Sequence, residues 1–203
     1  MLQQSLTVEN LAHAFQSGQL DFPELSLRSV DLRLRHLPLI NLEGADLQRA
    51  DLSHALLSGA CLVRATLQWA NLSEANLLAA DLIRADLYEA NLSNALLSMA
   101  NLTGANLNQA SLQGTSLSGC ILRAATLKNA DLTGANLKDA DLTGANLTGA
   151  NLKGAVLDSA RFHYTVMPDG SCLLHDDDRS DDVATSFANL SAYTRLAKHL
   201  KQS

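Results

Sequence analysis

Histidine, cysteine and acidic side chains are the residues of this chain that could bind a metal ion or catalyse a reaction. The densest group is the run His175-Asp176-Asp177-Asp178, whose composition could attract a divalent cation. A metal site needs ligands held in a fixed cage, however, and an acidic run of this kind is usually a solvated loop. The other histidines and the 3 cysteines are scattered, without metal-ligand spacing. We therefore expect no metal, no cofactor and no catalytic residue, and hence no enzymatic activity.

A five-residue period in leucine and alanine dominates the chain. Leucine occupies every position ending in 2 or 7 from Leu27 to Leu157. The residue two positions before it is alanine from Ala45 to Ala160, except at Thr115 and Cys120. Internal repeats of this kind decide the fold before any other feature is considered.

The period of five excludes both a regular helix and a straight strand. On an α-helix five residues advance by about 500°, so successive leucines would drift around the axis. On a straight strand an odd period sends successive leucines to opposite faces. If the chain bends in the same direction once in each pentad, every leucine can point to a common axis. The preceding alanine then points the same way, because strand side chains alternate.

The motif A-(D/N)-L-x-x, as in ADLTG, ANLKD and ANLSE, resembles that of the pentapeptide-repeat family over residues 22–162. The resemblance implies an all-β solenoid, a right-handed quadrilateral β-helix with four pentads and 20 residues in each coil. It also implies about seven coils. The MPDGS run that follows the last pentad is similar to the ending of some cyanobacterial members.

The repeat divides the chain into four segments. Residues 1–21 are expected to form an N-terminal capping helix, because open repeat stacks need a cover and Leu11, Ala14 and Phe15 share one helical face. Residues 22–162 form the β-helix, and residues 163–180 an acidic loop. In residues 181–203 apolar side chains return at three- and four-residue intervals, which predicts a C-terminal helix. This helix is expected to cap the last coil or to lie along one wall.

Composition and charge narrow the range of partners. The net charge of −6 argues against direct nucleic-acid binding, which depends on basic clusters. No apolar run is long enough to cross a membrane, and the N-terminus lacks the pattern of a secretory signal. We therefore expect a cytoplasmic protein that does not insert into membranes.

Under the implied 20-residue coil, residues 20 apart stack and define four walls. Walls A, B, C and D are centred on Leu42, Leu47, Leu52 and Leu57. Outward positions are mostly small or polar, but between residues 63 and 99 they include apolar, aromatic and arginine side chains, which are frequent in interface hot spots. These candidate partner-binding residues are Val63, Arg64, Ile83 and Arg84 on wall A, Trp69 and Tyr88 on wall B, and Leu78 and Met99 on wall D.

Two interpretations of the function follow. The favoured one is a non-enzymatic scaffold, with regulation as one role open to it, that binds an unidentified protein partner or a second copy of itself as a homodimer. The alternative comes from the resemblance, since some members of the family mimic DNA and inhibit DNA gyrase. The acidic residues of this chain are spread over all four walls, so the sequence does not favour the alternative.

Overall fold

The structure is a computed structural model that describes residues 11, 13–15 and 17–173. The predicted C-terminal helix, most of the predicted acidic loop and the first ten residues of the predicted N-terminal helix lie outside the described residues.

Parallel pairing between residues 20 apart runs along the described chain. Isolated β-bridges join each residue that precedes a central leucine to its equivalent 20 residues later, from Asp21↔Asn41 to Asn146↔Val166. The chain therefore coils with four pentads in each turn, and the four walls follow one another in the order A, B, C and D. Wall A lies between walls D and B, whereas walls B and D lie on opposite sides of the coil.

Leucine and alanine fill the interior completely. The central leucines from Leu27 to Leu147 are at most 3% exposed, and the alanines from Ala45 to Ala145 at most 1%. The space between the leucines along the coil axis, traced from Leu92 to Leu127, has no room for a water molecule. This stretch of the interior therefore offers no cavity in which a substrate could bind.

A β-turn bends the chain at every corner. In a representative pentad the Ala85 amide donates to the Leu82 carbonyl at 3.0 Å, and Arg84 between them has a φ of 54°. A positive φ at the third residue alone is the pattern of a type II turn. Residues such as Trp69 and Met99 occupy this same corner position with φ of 58° and 63°. Because this conformation costs a non-glycine residue about 1–2 kcal/mol, the hydrogen-bond ladder must hold such corners in place.

An asparagine or aspartate precedes most of the central leucines, and its side chain satisfies the backbone amide that the ladder leaves unpaired. In the pentad around Leu82, the amides of Leu82, Arg84, Ala85 and the residue after it all donate to backbone carbonyls. The remaining amide, that of Ile83, donates to the Asp81 side chain at 3.1 Å. This contact is an Asx turn, and it explains why Asn and Asp predominate at a position that faces outward.

Polar residues at the alanine position donate to the coil below. The Thr115 hydroxyl donates to the Leu92 carbonyl at 2.8 Å, and the Cys120 thiol to the Leu97 carbonyl at 2.7 Å. A buried polar group costs stability unless it is hydrogen-bonded, so these contacts make both departures from alanine acceptable in the core.

The Cys120 thiol predicts a stability difference at alkaline pH. Burial raises the pKa of this thiol from its ordinary value of 9.0 to about 12. The neutral thiol therefore stabilises the fold fully below about pH 9, and this contribution falls as the pH rises towards 12. Relative to Cys120→Ala, the free energy of unfolding of the native protein should fall by about 1.4 kcal/mol for each pH unit in that window.

Urea unfolding between pH 8 and 11 measures this difference. Cys172→Ala is the control, because Cys172 is exposed and all three cysteines are free. A difference between the native protein and Cys120→Ala that stays constant across this pH range would contradict the assignment.

The coil extends one pentad beyond the expected end at residue 162. Thr165 and Met167 take the alanine and leucine positions, and both are fully buried. Strand β1, Thr165–Val166, also pairs antiparallel with strand β2, Cys172–Leu173. The sequence analysis missed this pentad because neither central residue is the usual one. The predicted loop therefore begins after residue 167.

At the N-terminal end, residues 11 and 13–15 are helical and Leu11 is buried in the core. Gly18 follows with a φ of 91°, the left-handed conformation typical of a residue just past a helix end. The remainder of the predicted capping helix stays a prediction. None of the helical residues that the structure describes belongs to a stretch with the length and hydropathy needed to span a membrane.

Candidate interaction surface

The described residues contain no group of three or more His, Cys, Asp or Glu side chains that could hold a metal ion. His54 lies 3.4 Å from the Glu74 carboxylate at an exposed corner, and the other described histidines belong to different coils. The run beginning at His175 is outside the described residues.

On wall A, Val63 and Ile83 stack one coil apart and are half-buried by their neighbours. The exposed corner residues Arg64 and Arg84 stand beside them. Arg64 donates to the Glu43 carboxylate, while Arg84 forms no ion pair with any described residue. The wall thus presents a small apolar strip bordered by one guanidinium group that is free to bind an acceptor.

On wall B, aromatic, hydrogen-bond and cation–π contacts hold the side chains of Trp69 and Tyr88 in place. The two rings meet edge to face, with centroids 6.1 Å apart and planes at 89°. The Trp69 indole donates to the Glu89 carboxylate at 3.1 Å, and the Arg49 guanidinium lies 5.3 Å from its ring centroid. The Gln109 amide donates to the Tyr88 hydroxyl at 3.1 Å. A hydrogen bond with Glu89 also raises the pKa of Tyr88 above its usual range.

These contacts fix the aromatic pair before any partner binds. Trp69 remains 43% exposed despite its neighbours. A side chain that is already ordered loses little conformational entropy on association, which makes it an efficient anchor. The sequence analysis identified both rings but did not predict that Arg49 and Glu89 contact the indole. The signal that could have shown this is the spacing of 20 residues between Arg49, Trp69 and Glu89, which stacks the three side chains in one column.

The structure divides the eight candidate residues between two surfaces. Val63, Arg64, Ile83 and Arg84 lie on wall A and its corner, next to Trp69 and Tyr88 on wall B. Leu78 and Met99 lie on wall D and its corner. Because walls B and D are opposite, one flat partner could not contact the aromatic pair and Leu78 together.

Wall D carries further exposed apolar side chains, of which Leu56 and Leu96 can be predicted from the sequence because they replace the usual Asn or Asp. Besides Leu78 and Met99, the large hydrophobic residues exposed on this wall or its corners are Leu34, Leu39, Leu56 and Leu96. Leu34 and Leu39 were overlooked because the first coil departs from the regular repeat.

The repeat that builds these walls also matches a known protein family. The family model for pentapeptide repeats matches residues 26–62, 60–98, 100–139 and 135–167, which together make up most of the chain. The chain belongs to the pentapeptide repeat family. Proteins of this family fold as right-handed quadrilateral β-helices, and they are generally structural or interaction proteins.

Several solved pentapeptide repeat proteins are similar to this chain. QnrB1, a plasmid-mediated fluoroquinolone resistance protein, is 18% identical with a TM-score of 0.59, over 70% of this chain and 78% of its own. HetL, a protein involved in heterocyst differentiation regulation from the cyanobacterium Nostoc sp. strain PCC 7120, is 29% identical with a TM-score of 0.26, over 82% and 99%. Rfr23 from the cyanobacterium Cyanothece 51142 is 26% identical with a TM-score of 0.33, over 78% and 97%. No curated protein matches this pentapeptide repeat chain.

Proposed function

We propose that this pentapeptide repeat protein is a non-enzymatic scaffold that binds another protein through walls A and B. The observation that carries the proposal is the exposed, clamped pair Trp69 and Tyr88. Tryptophan, tyrosine and arginine are the residues most enriched in interface hot spots. The proposed contact residues are therefore Val63, Arg64, Trp69, Ile83, Arg84 and Tyr88.

The size of this surface indicates the centre of an interface. Its residues occupy two neighbouring coils, which at strand spacing correspond to about 10 Å along the rod. Specific complexes bury roughly 800 Å² on each partner, so small polar side chains of the adjacent coils must form the rim. Such a division between an aromatic centre and a polar rim is usual for protein interfaces.

Charge pairing disfavours the alternative function as a DNA mimic acting on gyrase. Such a mimic needs a continuous row of unpaired negative charges. Here arginines neutralise acidic residues on three walls: Arg123 lies 2.7 Å from Asp141 on wall A, Arg28 lies 2.9 Å from Asp46 on wall B, and Arg33 lies 2.6 Å from Asp31 on wall C. The similarity to QnrB1, at 18% identity, supports the shared fold alone.

DNA supercoiling by gyrase should therefore continue at its full rate in the presence of micromolar protein.

Affinity capture from the native cell extract, followed by mass spectrometry, tests the scaffold proposal. The double variant Trp69→Ala with Arg84→Ala should lose at least about 10-fold of the captured partner, because one hot-spot truncation alone costs about 2 kcal/mol. The extract is kept under reducing conditions, because all three cysteines are free and a cytoplasmic location is expected.

The matched control is Lys128→Ala with Lys153→Ala, two exposed residues without ion pairs among the described residues on walls B and C. Both double variants should unfold at the temperature of the native protein to within a few degrees. Undiminished capture by the Trp69 and Arg84 variant would refute the proposed surface.

A further inference from the structure

Wall D differs from the other three walls in having no charged side chain over its first five coils except Arg35, at the start of the first coil. Between His36 and Gly119 every outward position on this wall is Leu, Met, Ala, Gly, Ser, Asn, Pro or His. Walls A, B and C each carry several charges over the same coils. The apolar stripe of wall D consists of Leu39, Leu56, Leu78, Leu96 and Met99, which are between 40% and 66% exposed.

The dimensions of the stripe fit a single helix. Leu39 and Met99 occupy the same column three coils apart, which corresponds to about 14 Å at strand spacing. One wall is about three extended residues wide, or roughly 10 Å, close to the diameter of an α-helix with its side chains.

We propose that the stripe of wall D binds the C-terminal segment of the same chain, residues 181–203. The sequence of this segment predicts an amphipathic helix with Phe187, Leu190, Tyr193, Leu196 and Leu200 on one face. In a helix these residues extend over about 20 Å, which is enough to cover the stripe. Each of the two apolar surfaces removes the other from water.

Charge complementarity also supports binding of the C-terminal segment to wall D. The columns that border wall D contain Glu74 on the side of wall C and Asp81 on the side of wall A. Neither column contains Lys or Arg between residues 34 and 121, although His54 lies 3.4 Å from Glu74. The C-terminal segment is basic in its second half, with Arg195, Lys198 and Lys201.

The connecting chain is long enough for binding within one molecule. Residues 174–186 separate the end of the described chain at Leu173 from Phe187 and can extend over about 40 Å. Met99 lies between three and four coils from Val166, or about 16 Å along the rod. A tether of this length gives an effective concentration in the millimolar range, which favours the attached segment over a free partner.

Thiol labelling of the purified full chain tests the proposal. In a background with Cys61→Asn and Cys172→Ser, the reporter Ala79→Cys lies within the stripe and leaves its five apolar residues intact. Ala124→Cys is the matched control, since Ala79 and Ala124 are both exposed corner residues with φ of 54° and Ala124 belongs to wall A. The tail variant combines Leu190→Asp with Leu196→Asp.

A bulky maleimide should label Ala79→Cys at least about 10-fold more slowly in the native-tail chain than in the tail variant. Labelling of Ala124→Cys should be rapid in both. Rapid labelling of Ala79→Cys with the native tail would overturn the proposal. Protection that increases with protein concentration between 1 and 100 µM would overturn it as well, because the occupant would then be a second copy. This experiment uses no partner, so its outcome is independent of the surface proposed on walls A and B.

Discussion

Leu122→Ala should lower the free energy of unfolding by about 3–5 kcal/mol, the upper range for the truncation of a buried leucine. Leu122 is 0% exposed, and its side chain lies among the axial leucines, where no space remains for water. The cavity left by the substitution cannot collapse easily, because hydrogen bonds to the coils on both sides hold the backbone. Urea unfolding followed by circular dichroism measures the change.

The neighbouring residue provides the control for Leu122. Ile121 has the same number of side-chain carbons, but it points outward from wall A and is 39% exposed. Ile121→Ala should therefore cost less than about half as much as Leu122→Ala. Equal costs at the two positions would show that the axial leucines do not carry the stability of the rod.

Ala125→Leu should destabilise the rod by about 3 kcal/mol, the upper end of the range for overpacked cores. Ala125 is 1% exposed and occupies the narrow position two residues before a central leucine. In the first coil the same column holds Leu25, which is only half-buried, so the larger side chain fits where the wall is open.

Ala124→Leu is the matched control for overpacking. Ala124 is an exposed corner residue with a φ of 54°, and Leu34 and Leu39 already occupy equivalent corners with φ of 58° and 61°. The substitution should therefore change the unfolding midpoint little. A similar loss for Ala124→Leu and Ala125→Leu would mean that backbone strain, rather than side-chain volume, limits the alanine position.

The leucine and alanine period was sufficient to predict that the chain turns once in each pentad. It did not determine the number of pentads in a coil, which the family resemblance supplied and the bridges between residues 20 apart display. Nor did it explain the residue before each leucine. The role of Asp81 becomes clear only when every backbone amide of its pentad is assigned a partner, because Ile83 is the amide that remains.

The candidate surface was predictable in part. Trp69 and Tyr88 stand out by composition, but their clamp depends on Arg49 and Glu89, two ordinary surface residues until stacking places them beside the indole. The uncharged character of wall D was readable from the sequence, by comparing residues 20 apart. The apolar side chains of wall D, such as Leu78 and Met99, can be found one position at a time, whereas the scarcity of charge shows only when the whole wall is compared with the others.

The backbone hydrogen bonds between coils run along the rod, and within residues 17–173 each coil bonds only to the coil before it and the coil after it. A force applied to the two ends of the chain therefore loads the bonds of one terminal coil at a time. When that coil opens, it releases 20 residues, or about 68 Å of extended chain, while the rest of the rod stays folded. Under tension the rod should therefore lengthen in equal steps, one coil at a time.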